Sequence, residues 1–181
     1  MQDYFLSDDV IGLRGLLQAD LLGGYKNWLN DEVTCAGNSH FRYYNSVEDL
    51  ECYIKSVANS KSNLVMAVCL LESNLHIGNI ALQNISYIDR SCDISFLLGE
   101  SKCRGQGIMF RAANLLIGHA FRNLNMRRVS CGTLHNNVAM VSLAEKLGMV
   151  QEGVRRQSIF KDGKYLDVYE YGILKSEWKT C

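Results

Sequence analysis

Apolar and polar positions change period several times along the chain, and each change marks an element. Val10 to Leu17 is a short apolar run broken by Gly12, Arg14 and Gly15, which predicts a first strand after a polar, loose stretch at 1–8. Leu21, Tyr25, Trp28 and Leu29 recur at helical spacing behind Asp20, a suitable N-cap. A helix is expected there through Leu29, weakened by Gly23 and Gly24 and ended by Asn30-Asp31. Val33 to Asn45 has no clean period and mixes polar with aromatic residues, as an irregular loop does. Ser46-Val47-Glu48-Asp49 opens a capped helix continued by Leu50, Ile54 and Val57. Leu64 to Leu71 is apolar throughout, a strand buried on both faces. After a turn at Glu72-Ser73-Asn74, a further strand runs from Leu75 to about Ile85, with Gly78 as a bulge position.

Past Asp89-Arg90, a strand from Cys92 to Leu98 puts Cys92, Ile94, Phe96 and Leu98 on one face and Asp93, Ser95 and Leu97 on the other. A helix from Ile108 to about Phe121 carries a stripe of Ile108, Ala112, Leu115, Leu116 and His119 or Ala120. Met126 to Leu134 alternates as a strand, and Asn137 caps a helix that Gly148 closes as its C′ residue. Met149 to Phe160 and Tyr165 to Leu174 are strands joined by Lys161-Asp162-Gly163-Lys164, a strong hairpin signal. The order is β-α-α-β-β-β-α-β-α-β-β with no repeat and no linker. This predicts one α/β domain over 1–181.

Composition removes several classes. The formal net charge is zero, and Arg127-Arg128 alone is too small a basic face, so nucleic acid is not an expected partner. No apolar run approaches about eighteen residues, and the N-terminus lacks a signal-peptide pattern, so no membrane partner and a cytoplasmic location are expected. Seven cysteines are scattered without a CxxC pair. They read as small hydrophobes, with Cys52, Cys69, Cys92 and Cys131 in apolar runs, and no metal site is expected.

Ser101-Lys102-Cys103-Arg104-Gly105-Gln106-Gly107-Ile108-Met109 lies between a strand and a helix. Glycines allow close backbone approach, and a helix start presents unpaired N–H groups and a partial positive charge. With Lys102 and Arg104 this predicts a phosphate or pyrophosphate site. A dinucleotide fingerprint would need a glycine at 110, where Phe110 stands, and the Gly-Lys-Ser or Gly-Lys-Thr of a P-loop is missing.

On the residues Arg104-Gly105-Gln106-Gly107-Ile108, Asn137 and Glu145-Lys146-Leu147-Gly148-Met149, the chain resembles the GCN5-related N-acetyltransferase (GNAT) superfamily. Trp28 to Val33, Val150 to Gly153, Asp162 to Asp167 and Glu177-Trp178 resemble its ribosomal-protein N-terminal acetyltransferase branch. The resemblance covers nearly the whole chain, and the same branch includes enzymes of amino sugars and antibiotics. It implies the acyl-CoA N-acyltransferase fold, an α+β arrangement with a mixed, mostly antiparallel sheet splayed between the fourth and fifth strands counted above. It implies acetyl-CoA as donor, its pantetheine arm along the backbone of Phe96, Leu97 and Leu98. The pyrophosphate would then lie on Arg104, Gly105, Gln106, Gly107, Ile108 and Met109. Asn137 would hold pantetheine or order the splay, or serve as an ordinary cap. Two positions depart from the family pattern: Met109 stands where the motif ends in Gly or Ala, and Ala144 where many relatives carry a general-acid tyrosine.

Acetyl transfer to an amine needs a neutral amine, donors for the oxyanion and a protonated or tolerable leaving thiolate. Asp93, beside the implied thioester, is the leading candidate base, with Glu100 second. Ser142, or one of Tyr165, Tyr169 and Tyr171, is a candidate acid, and solvent is the alternative. Asn38, Ser39 and His40 are the candidate acceptor lip, while His76, His119 and His135 read as structural. Cys131 has no activating neighbour, so an acyl-cysteine is not expected. The expected activity is direct attack, in a ternary complex, by the primary amine of a small molecule such as an amino sugar or of a peptide N-terminus. The chain would act alone or as a homodimer. A non-catalytic CoA-binding or sensor domain is the competing reading, motivated by Met109 and Ala144.

Overall fold

A computed structural model describes residues 3–179. Eight strands form one sheet: β1 (Leu6–Ser7), β2 (Ile11–Gly15), β3 (Leu64–Leu70), β4 (His76–Ser86), β5 (Ser91–Leu98), β6 (Arg128–Leu134), β7 (Val150–Lys161) and β8 (Lys164–Leu174). The helices are α1 (Tyr25–Leu29), α2 (Val47–Ala58), α3 (Ile108–Arg122) and α4 (Val138–Lys146). The sheet order is β1-β2-β3-β4-β5-β6-β8-β7. Every neighbouring pair is antiparallel except β5–β6, which is parallel and joined through α3.

The first third departs most from expectation. The head of the chain contains β1, which forms only by pairing with β2 at Leu6↔Leu13 and Ser7↔Gly12. Met1 and Gln2, the start of the stretch expected to be loose, lie outside the described residues. The single helix expected behind Asp20 is instead a 3₁₀ turn, Gln18–Leu22, followed by the short α1. Asp20 is not its N-cap. The carboxylate is buried in an ion pair with Arg14 at 2.6 Å and accepts from the Leu17 N–H at 2.8 Å. Gly23 and Gly24 divide the two pieces.

Elsewhere local chemistry sets the elements. Ser46 and Asp49 form a reciprocal capping box on α2. The Asp162-Gly163 turn carries φ of 50° and 75°, the left-handed pair that a tight hairpin needs. On α3, Ala120 rather than His119 lies in the fully buried stripe, and His119 meets Phe5 edge-on at 4.9 Å. Cys69, Cys92 and Cys131 are buried as expected, but Cys52 is exposed on α2.

Two cores flank the sheet. One lies between the sheet and α3/α4 and includes Phe121, Leu116, Ile94 and Tyr171. The second covers the other face of β2–β5 with Tyr25, Trp28, Leu50 and Ile54. Beyond β5 that second face carries charged side chains of β6, β7 and β8 in place of an apolar layer, with Arg128–Glu152 and Arg155–Glu170 as ion pairs. No helix among the described residues is long and apolar enough to cross a membrane.

Candidate active site

The parallel strands β5 and β6 pair only through Ser91↔Arg128, Cys92↔Val129 and Asp93↔Ser130. Beyond Asp93 they diverge, which is the splay expected between the strands at 92–98 and 126–134. The β6-facing backbone edge of Ile94–Leu98 therefore lacks a strand partner, a demand that a bound amide chain would satisfy. A cavity of about 750 Å³ passes through the gap and is lined from both sides of the sheet.

Its helix side is built from backbone. Gly107 is the N-cap of α3 with φ 74° and ψ 7°, and no side chain caps the helix. Gly105 has φ 77°, and a Cβ at either glycine would point into open space. Two left-handed residues in three bare the first turn of α3, so its N–H groups face an open, cation-bordered hollow that fits a pyrophosphate. Of the residues implied for acetyl-CoA, Phe96, Leu97, Leu98, Arg104, Gly105, Gly107, Ile108, Met109 and Asn137 line the cavity. Gln106 does not; its side chain turns back to donate to the Lys102 carbonyl at 2.8 Å. Glu100 accepts weakly from the Lys102 N–H at 3.5 Å.

Asn137 uses both ends of its amide within the chain. Its Oδ1 accepts from the Met140 N–H at 3.3 Å, capping α4, and its Nδ2 donates to the Gly37 carbonyl at 3.5 Å. It thus staples α4 to the loop at 33–45. Lys161 of β7 fixes that loop from the other side, donating to the Cys35 and Asn38 carbonyls at 2.7 and 2.9 Å. Arg42 donates to the Phe160 carbonyl at 2.9 Å. Asn38 and Ser39 line the cavity, whereas His40 is exposed outside the lining.

Asp93 is not brought to the cavity. It sits at the closed foot of the splay, on the face of the sheet bearing the charged pairs, and accepts from Asn84 Nδ2 at 2.9 Å. Glu170 of β8 lies on that face too, and sequence reasoning missed it. It pairs across the ladder with Gly132 on one side and Gly153 on the other. Its Oε1 accepts from Arg155 Nε at 2.5 Å, and Arg155 and Gly132 line the cavity. A glycine inside the alternating run of β6 was the available signal, since it marks close approach by a neighbour.

The remaining candidates sort by position. Ser142 lines the cavity, while Ala144 is buried against the sheet at 1% exposure and does not. Tyr171 is in the core, Tyr165 is exposed, and Tyr169 is half-buried beside His135. His76 lies between Asp20 and Asn79, a structural position. Burial pushes the Cys131 thiol up to about 12, with the Glu170 and Asp93 charges adding to it. That thiol is protonated at neutral pH and is no nucleophile. No group of His, Cys, Asp and Glu among the described residues is arranged to hold a metal ion.

Comparison with known proteins agrees with this geometry. YdaF of Bacillus subtilis, named as a candidate ribosomal N-acetyltransferase, is 29% identical over 102 residues, 56% of this chain. That match spans about half of YdaF, 55% of its length. The spermidine N(1)-acetyltransferase of Vibrio cholerae is 27% identical over 135 residues, 75% of this chain and 77% of that protein. A crystal structure of spermidine N-acetyltransferase from Vibrio cholerae, in complex with CoA and spermine, superposes with a TM-score of 0.84 at 24% identity. It covers 94% of this chain and 98% of that one, and shows a shared fold. The acetyltransferase (GNAT) domain matches residues 11–150, which include the splayed strands, the glycine loop and α4, and the chain belongs to that family.

Proposed function

We propose that this GNAT acetyltransferase moves an acetyl group from acetyl-CoA to the primary amine of a small molecule, by direct attack in a ternary complex. The observation that carries the reading is the cavity through the sheet. The glycine loop opens on one side, a charged sheet face opens on the other, and both substrates can be bound at once without meeting in solvent. Acetyl-CoA supplies the activated acyl carbon. The chain holds it with the bare first turn of α3, Arg104 and the unpaired edge of Ile94–Leu98.

The amine must shed a proton before it attacks; the new C–N bond then forms at the thioester carbon to give a tetrahedral oxyanion, whose collapse breaks the C–S bond. The second proton of the attacking nitrogen leaves to water or to the departing thiolate. Glu170 is better placed than Asp93 to take the first proton, because it reaches the cavity wall at Gly132. The Ser142 hydroxyl is the donor available to the leaving sulfur. A polyamine acceptor fits poorly: among the described residues the charged side chains in the lining are Arg104, Lys146 and Arg155, and Glu170 is the one carboxylate that reaches the wall from behind it.

The test is mass-spectrometric detection of acetylated product after incubation with acetyl-CoA and a panel of amines. Product on a small monoamine supports the reading. Binding of acetyl-CoA without product on any amine would overturn it and favour a sensor.

A further inference from the structure

We infer that the acceptor is a free α-amino acid with an apolar side chain, held as its zwitterion by Arg155 and Glu170. The inference rests on the acetyltransferase reading above and deepens it. It begins with the three cations of the cavity. Arg104 borders the glycine loop, and Lys146 ends α4. Both stand on the side where the phosphates of the donor would lie. Arg155 stands on β7, on the opposite face, and among the described residues it is the charged group lining that end.

Arg155 is not alone there. Its Nε holds Glu170 Oε1, and its Nη2 lies toward Gly132. From the point where a Cβ of Gly132 would stand, Glu170 Oε1 is 3.2 Å away, Val168 Cγ1 3.3 Å and Arg155 Nη2 3.4 Å. One anion, one cation and one methyl group therefore converge over a single bare stretch of backbone in the cavity wall. Gly132 keeps that spot open, and on the other side Glu170 faces Gly153, where nothing crowds it either. The pair is reachable: the Arg155 side chain is 61% exposed and that of Glu170 34%.

A ligand that matches this arrangement carries a negative and a positive group on neighbouring atoms, with an apolar substituent beside them. An α-amino acid does so. Its carboxylate meets the planar guanidinium. Its ammonium meets Glu170, the group suited to take its proton. Its side chain meets Val168, Ile159 and Leu134, which line the wall. Other acceptors match less well. A polyamine brings several positive charges to an end where one carboxylate stands beside a cation. A peptide N-terminus has no carboxylate at its first residue for Arg155. A nucleotide-linked sugar brings two or more negative charges to an end that holds one cation and one carboxylate.

The deciding experiment compares leucine with leucinamide, which keeps the amine and side chain but lacks the carboxylate, using mass-spectrometric initial rates. Spermidine, an N-terminal peptide and a nucleotide-linked amino sugar are run beside them. With each rate referred to the neutral-amine fraction of its own substrate, leucine is expected to exceed leucinamide in kcat/KM by about 10-fold to 100-fold, mostly through KM, the range of a lost charged hydrogen bond. Arg155→Gln should reduce that ratio to near 1 while leaving acetyl-CoA affinity unchanged. Because Arg155 is exposed, folding of the variant is checked by its melting temperature, and Arg155→Lys should restore part of the preference. The inference is overturned if leucinamide reacts as well as leucine, if Arg155→Gln keeps the preference, or if an acceptor without an α-carboxylate is used in place of amino acids. In that last case the acetyltransferase reading survives. If acetyl-CoA binds and no amine is acetylated, both fall.

Discussion

Two arginine–carboxylate pairs of similar length do different work in this molecule. Arg14 and Asp20 lie 2.6 Å apart with side chains 7% and 5% exposed. Arg155 and Glu170 lie 2.5 Å apart with side chains 61% and 34% exposed. The first pair is enclosed: Arg14 also donates to the Gly15 carbonyl, Asp20 accepts from Leu17 and lies beside His76, and of the guanidinium nitrogens the buried Nε is left without a partner. The second is open on the cavity side and has glycine on both neighbouring strands. Identical chemistry is thus locked into the fold where water is excluded, and stays open to solvent where it faces the cavity.

The largest effect should come from breaking the buried pair. Asp20→Ala leaves Arg14 charged without a partner, and loss of one member of a buried pair costs about 3–5 kcal/mol. In a chain of this length that is a fall of roughly 10 °C in melting temperature. Glu170→Ala, by contrast, should shift stability by less than about 1 kcal/mol. A reversed order, measured by thermal unfolding, would undo the comparison. Acid adds a second measurement. Burial alone would raise the Asp20 carboxyl, but hydrogen bonds from Arg14, His76 and Leu17 outweigh it and hold it well below the usual carboxylate range. A depressed folded pKa means stabilisation that is whole above the unfolded value, about 3.9, and lost as pH falls below it. The acid limb of the wild type should therefore flatten in Asp20→Asn, measured relative to each protein's own stability at neutral pH.

The open pair should show itself in turnover. Glu170→Gln is expected to lower kcat/KM at neutral pH by about 100-fold, the low end of what a general base supplies, with the melting temperature nearly unchanged. Activity should recover as pH approaches the amine's own pKa, because solvent then performs the deprotonation. Asp93→Asn should change the rate by only about threefold. A large loss there with none in Glu170→Gln would return the base to the foot of the splay.

That pair also marks the limit of what the sequence discloses. The glycine loop, the Ser46–Asp49 box, the Asp162-Gly163 hairpin and the Asn137 cap are each written within a few residues, so pattern alone finds them. The splay was legible through resemblance to a family. Arg14 with Asp20, and Arg155 with Glu170, join elements whose contact depends on fold or strand order. Residue 170 meets 155 and 132 only because β8 lies between β7 and β6. Asp93 illustrates the converse. Its strand and face follow from the alternation of Cys92, Ile94, Phe96 and Leu98, but where β5 stops pairing with β6 is a register, and no local period encodes it.

The two ends of the cavity sharpen the contrast further, one being made of backbone and the other of side chains. At the backbone end, Gly107→Ala places a Cβ on a residue with φ 74°, at a cost of about 1–2 kcal/mol. We expect a melting temperature lower by a few degrees and an acetyl-CoA affinity weakened about tenfold, read by calorimetry. Gly107→Ala with unaltered affinity would mean that the α3 N-terminus is not the donor's seat.

The smallest effect belongs to the tether between the two ends. The Lys161 ammonium donates to the Cys35 and Asn38 carbonyls from the start of the β7–β8 hairpin. It links the loop proposed as the acceptor lip to the strands that carry Arg155 and Glu170. Lys161→Met keeps the aliphatic stem and removes both hydrogen bonds. The lip remains stapled at Gly37 by Asn137 and at Phe160 by Arg42, so the fold should lose no more than about 1 kcal/mol. The seat proposed for acetyl-CoA, on α3 and β5, is not touched by the substitution, and the affinity for it should stay the same. What should change is the acceptor KM, rising about threefold to tenfold with kcat nearly constant, because Asn38 then spends less time over the cavity. If kcat falls instead, the lip takes part in the chemical step, and the division between a rigid donor end and an adaptable acceptor end is too simple.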